Sequence, residues 1–114
     1  MSSFDANKLN EYFHGEKDIL CELITEFFQE LPAMIAPIRT SIEGSDADGL
    51  QISAHTLKGS VSNFFAQDCV EHSYFLEKMG RDGSVESESA LESLSKLESS
   101  LEVLHKDLLD YSKD

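Results

Sequence analysis

Apolar positions recur along the chain at helical spacing, and no segment alternates apolar with polar residues as a half-buried strand would. Leu9, Tyr12 and Phe13 share one side of a short first stretch, from about Asp5 to Phe13, that ends at Gly15. Ile19, Leu20, Leu23, Ile24, Phe27 and Phe28 continue the pattern from Glu16, and Glu16 and Asp18 suit the positive end of a helix dipole. Pro32 and Pro37 each remove a backbone hydrogen bond, so this segment is expected to kink or split there before resuming through Ile35, Ile38 and Ile42. Gly44 suits a C-terminal cap. Ser45-Asp46-Ala47-Asp48 has the spacing of a capping box and opens a helix predicted to reach about Phe65. Another runs from Gln67 to Met79, stops at Gly80 and turns through Arg81-Asp82-Gly83.

The last helix begins near Ser84 to Glu86. Ala90, Leu94, Leu97, Leu101, Leu104, Leu108 and Tyr111 form a narrow apolar seam along it, which Leu91 continues. The stretch from Ser84 to Ser100 is rich in Ser and Glu, but the leucines running through it make it a helix with a polar outer face. The seam covers only about three heptads, and short loops join it to other amphipathic helices, which favours a bundle over a coiled-coil dimer. The expected fold is all-α, an antiparallel four-helix bundle with a short additional N-terminal helix, in a single domain over residues 1–114.

The chain has 114 residues, with 9 Lys+Arg against 22 Asp+Glu and a net charge of −13. That balance argues against gripping nucleic acid or an anionic membrane, both of which need a positive surface. A hydrophobic content of 40% separates the chain from disordered acidic tails. No apolar run approaches the roughly 20 residues of a membrane span. The start, MSSFDANKLNEYF, has neither a basic n-region nor an apolar h-region, so a cytoplasmic location is expected. Cys21 and Cys69 form no C-x-x-C and read as two thiols in a reducing compartment. His14, His72 and His105 form no metal-ligand spacing, and no glycine-rich nucleotide loop is present. The chain is therefore expected to hold no metal or nucleotide of its own and not to be a stand-alone kinase. Phe4, Phe13, Phe27, Phe28, Phe64 and Phe75 are assigned to the core rather than to a ligand cage.

One helix carries chemistry. On a wheel of about 100° per residue, Leu50, Ala54, Leu57, Val61 and Phe64 fall on a core face. Gln51, His55, Lys58, Gly59 and Ser62 fall well away from it, which exposes His55 at mid-helix. Glycine inside a helix costs about 1 kcal/mol relative to alanine. Gly59 points outward, so the core does not require it; a second surface coming close to His55 does. Ile52 lies on the same outward side, as part of a docking patch or as a lone exposed apolar residue. These parts suit a histidine that carries a phosphoryl group. Imidazole nitrogen is a competent nucleophile near neutral pH, and lysine offsets the phosphoryl charge as a point cation. Hydroxyls at Ser60 and Ser62 add candidate hydrogen bonds.

Ala54-His55-Thr56-Leu57-Lys58-Gly59-Ser60 resembles the signature of histidine-containing phosphotransfer (HPt) domains. The similarity extends over about Glu16 to Tyr111, through the Phe28…Leu31-Pro32 stretch, the acidic entry at Asp46 to Asp48 and the Leu76-Glu77 pair. It implies a four-helix bundle that relays phosphoryl groups between response-regulator receiver domains. By resemblance His55 is phosphorylated on Nε2, Lys58 steadies the phosphoryl group, and Glu77 hydrogen-bonds the other ring nitrogen. Gly59, Ile52, Ser62 and Arg81 belong to partner docking. The implied partners are receiver domains and a hybrid histidine kinase, with the chain a monomer and Mg²⁺ on the receiver. Two positions depart from the family pattern. Phe65 stands where a small residue, usually glycine, is common, so a phenyl ring must be housed between helices or displayed at the rim. Val61 replaces the second serine of a usual pair and reads as packing. Glu77 as a solvated carboxylate paired with Lys78 or Arg81 stays open. Two other functions also stay open: a phosphoacceptor domain fed by a chemotaxis-type kinase, and a non-catalytic acidic helical adaptor.

Overall fold

A computed structural model describes residues 3–113, and all of its regular structure is helical. Helix α1 spans Ala6–Phe13, α2 Lys17–Glu43, α3 Ala47–Ser62, α4 Gln67–Arg81 and α5 Ser87–Ser112. The four longer helices close a ring of contacts, α2 on α3, α3 on α4, α4 on α5 and α5 back on α2. At about 1.5 Å per residue a helix the length of α5 runs most of the 43 Å long axis of the molecule. The single-domain assignment reaches past the described residues at both ends.

The apolar stripes meet along the ring's interior. Leu20, Ile24, Phe27, Ile38 and Ile42 of α2 are buried with Leu50, Ala54, Leu57 and Val61 of α3. The seam of α5 is buried from Ala90 to Leu108, and Tyr111 packs partly against it. Leu91 is exposed, because it sits one residue round the helix from buried Ala90, so it does not continue the seam. Tyr12, Ile19 and Leu23 likewise face outward beside buried Phe13, Leu20 and Ile24. Phe75 is 50% exposed and not part of the core. The inward face of α4 is instead made by small and polar residues, Cys69, Ser73, Glu77 and Gly80, around Leu76.

The structure corrects several expected boundaries. Helix α2 does not split: Pro32 and Pro37 both lie inside one helix of 27 residues. Its core residues lie on both sides of the prolines, so burial against α3 and α5 outweighs about 3 kcal/mol of helix propensity at each one. Gly44 is the α2 C-cap, but the left-handed residue there is Ser45, with φ of 51°. The cap of α3 is Asp46 rather than Ser45, its carboxylate accepting from the Gly49 amide at 3.0 Å. Helix α3 ends at Ser62 rather than near Phe65, and α4 continues through Gly80 to Arg81.

The Phe65 departure has a conformational explanation. Phe65 has φ of 55°, the left-handed region that glycine enters freely and other residues enter at about 1–2 kcal/mol. Its carbonyl accepts the Asp5 amide at 3.0 Å, and its ring meets Tyr12 edge-on at 5.9 Å. Two contacts to the α1 region thus hold the residue where it is. Removing the ring without relieving the backbone costs more than removing the ring and relieving it. Phe65→Gly is expected to unfold within about 1 kcal/mol of the wild type, and Phe65→Ala about 1–2 kcal/mol below it, as checked by urea denaturation.

Candidate functional site

Asp46 fixes the start of α3, and Leu50, Ala54, Leu57 and Val61 fix its rotation by burying one face completely. His55 is thereby turned outward, with its side chain 65% exposed. Opposite it, α4 presents Glu77, whose side chain is only 9% exposed. Gly80 sets the spacing of the two helices. A Cβ there would lie 2.5 Å from the Gln51 amide nitrogen and 2.6 Å from the Ala47 carbonyl oxygen. The α4 backbone thus rests directly on α3, one turn from both Glu77 and His55. The sequence alone reads Gly80 as a helix stop, whereas α4 continues through it to Arg81. A glycine in a helix whose other signals continue through Lys78 and Arg81 is the cue that would have marked a close crossing instead.

His55 Nδ1 lies 3.2 Å from Glu77 Oε2, and Lys58 Nζ lies 2.7 Å from Glu77 Oε1. The lysine contact is an ion pair without the angles of a directed hydrogen bond. Glu77 therefore pairs with His55 and Lys58 rather than with Lys78 or Arg81. Burial raises the Glu77 carboxyl, but the Lys58 and His55 contacts outweigh that and hold it below its ordinary value. An ionised carboxylate only accepts, so the proton of a neutral His55 resides on Nδ1 and the lone pair on Nε2, at the far edge of the ring. A carboxyl with a lowered folded-state pKa contributes stability above its unfolded value, about 4.3, and loses it as pH falls through the folded value. Glu77→Gln lacks that titration. Its stability deficit is expected to shrink between neutral pH and about pH 3, as read by urea unfolding at each.

Other expected residues fall into place unevenly. Ile52 is 68% exposed, three positions before His55 on the helix surface. A Cβ at Gly59 would meet nothing within 4 Å. Beside it a hollow of about 330 Å³ runs between α3 and α4, lined by Lys58, Gly59, Ser62, Gln67, Glu71 and Tyr74 among others. The Ser60 and Ser62 hydroxyls bond back to their own helix, to the Thr56 carbonyl at 3.3 Å and the Gly59 carbonyl at 2.7 Å. Arg81 makes no contact with Glu77 short enough for an ion pair; its Nη2 donates to the Tyr74 hydroxyl at 3.3 Å. Sequence reasoning missed Tyr74. Its place three residues before Glu77 and seven before Arg81, on one helix face, was the available signal. Among the described residues no cluster of His, Cys, Asp or Glu could hold a metal ion, and no helix is long and apolar enough to cross a membrane.

The site is thus an outward histidine whose inner nitrogen is held by a buried carboxylate, on a helical bundle. The Hpt domain family model matches residues 22–109, and the chain belongs to that family. Membership gives it a phosphotransfer role in phosphorelays, where such domains work with receiver domains and kinases. No curated protein and no solved structure matches the chain.

Proposed function

We infer that the chain is a relay intermediate in multistep two-component signalling. His55 accepts a phosphoryl group from a receiver-domain aspartate and passes it to another receiver. The observation that carries this reading is the 3.2 Å contact of His55 Nδ1 with Glu77, which leaves Nε2 as the nucleophile on an exposed ring. In the transfer, Nε2 attacks phosphorus, the N–P bond forms, the P–O bond to the aspartyl carboxylate breaks, and the carboxylate leaves with the electron pair. The Nδ1 proton stays on the ring, which becomes cationic, and Glu77 stabilises that charge. Lys58 offsets charge on the phosphoryl oxygens, and a partner approaches over Gly59 with Ile52, Ser62 and Arg81 at the contact.

The four longer helices form an antiparallel bundle, with the chain acting as a cytoplasmic monomer and single domain. Mg²⁺ belongs to the receiver, where it supplies charge neutralisation to the aspartyl phosphate. A panel of labelled, phosphorylated receivers tests the reading. Acid-labile, base-stable label on the chain supports it and identifies a donor. Label only from a histidine kinase with ATP would replace the receiver by a chemotaxis-type donor, and no label from either would leave an adaptor.

A further inference from the structure

The Tyr74 ring stands between two cations. Lys58 Nζ is 5.2 Å from its centroid, and the Arg81 guanidinium carbon is 5.9 Å from it. The phenol oxygen accepts from Arg81 Nη2 at 3.3 Å. A contact between residues seven apart spans two helical turns, about 10.5 Å. Glu77 lies on the turn between them, so Tyr74 and Arg81 bracket, along α4, the residue bonded to His55. We propose that Tyr74 is a positioning residue for phosphoryl transfer, holding Lys58 and Arg81 together on the flank of His55; this rests on His55 being the acceptor.

Charge gives the arrangement its purpose. With neutral His55, the charged groups in direct contact with His55 or with the Tyr74 ring are Lys58, Arg81 and Glu77, summing to +1 (two positive, one negative). Without Arg81 the sum is zero, because Lys58 already neutralises Glu77. A phosphoryl group brings about −1.5 to −2. The whole chain carries −13, so its overall field opposes a phosphoryl dianion and cations close to the site must offset it. A free arginine on an exposed helix end spends its time in solvent; the phenol gives it a fixed anchor, and the ring face attracts Lys58 from the other helix. Tyr74 is itself 43% exposed, so its replacement leaves the core intact.

Phosphoramidate is a partner-free probe. His55 Nε2 attacks its phosphorus, the P–N bond breaks and ammonia leaves. Phosphohistidine formation at saturating phosphoramidate is to be followed in wild type, Tyr74→Phe, Arg81→Gln and the double variant, with thermal melts alongside. Tyr74→Phe and Arg81→Gln are each expected to slow labelling about threefold to fivefold, and the double variant no further than Arg81→Gln alone. Melting temperatures are expected to stay within about 2 °C of the wild type. Tyr74→Leu, which also removes the ring face from Lys58, is expected to be slower than Tyr74→Phe by about twofold. Wild-type rates in Tyr74→Phe, or losses that multiply in the double variant, would overturn the proposal. Label persisting in His55→Gln would instead overturn the assignment of the acceptor, so the two failures are distinguishable. If Tyr74→Leu unfolds, the comparison of Tyr74→Phe with Arg81→Gln decides alone.

Discussion

His55→Gln is expected to accept no phosphoryl label from any donor while unfolding within about 0.5 kcal/mol of the wild type. The chemical half follows from the lone pair. A glutamine amide has no nucleophilic nitrogen, because its electron pair is delocalised into the carbonyl, so attack on phosphorus stops altogether rather than slowing. The structural half follows from exposure and hydrogen bonding. The His55 side chain is 65% exposed and belongs to no part of the core, and the Gln NH₂ group can still donate to Glu77. His55→Ala is the poorer test. It leaves the buried Glu77 carboxylate with Lys58 as its one ion-pair partner among the described residues and loses stability that has nothing to do with transfer. Acid-labile label measured beside a thermal melt separates the two halves. Label surviving in the folded Gln variant would place the acceptor elsewhere.

Helix existence was legible in the sequence because burial in this protein is periodic. The inward positions of α3 and α5 repeat at three and four residues, and the packing that holds the helices uses those same positions. Where local signals and packing disagreed, packing won. Two prolines should have interrupted α2, yet apolar residues on either side keep it whole. Phe75, Tyr12, Ile19 and Leu23 are apolar enough for the core but sit off the stripe, and their types alone say nothing about rotation.

The site was legible to the extent that it lies on one helix. His55, Lys58, Gly59 and Ile52 share α3, and the wheel orders them without knowledge of any other element. What crosses between helices was legible only through family resemblance, as with Glu77, or not at all, as with Tyr74 and the function of Gly80. A single sequence contains no rule for which residue of α4 faces which residue of α3. That registry is set by how closely two backbones can approach, a property of the pair.

Gly80→Ala tests that registry. In isolation the change gains about 1 kcal/mol of helix propensity. Here the new Cβ would sit 2.5 Å from the Gln51 nitrogen and 2.6 Å from the Ala47 oxygen. Both obstacles are backbone, so no rotamer change relieves them, and α4 must move outward by about 1 Å. Overpacking against immovable neighbours lies at or above the upper end of its usual cost, about 3 kcal/mol, leaving a net loss of roughly 2 kcal/mol or more. For a domain of this size the melting temperature is expected to fall by at least about 8 °C. The same displacement acts on the site, because the His55–Glu77 contact, at 3.2 Å, is already at the long limit of a hydrogen bond. Once it opens, Nδ1 loses the acceptor that fixes its proton, and nitrogen NMR of His55 is expected to show a mixture of tautomers with slower labelling by phosphoramidate. Gly59→Ala is the matched control in the neighbouring helix. Its Cβ meets nothing within 4 Å, so the propensity gain of about 1 kcal/mol should appear undiminished. If Gly80→Ala stabilised the protein as Gly59→Ala does, the close crossing would not be what sets the distance between His55 and Glu77.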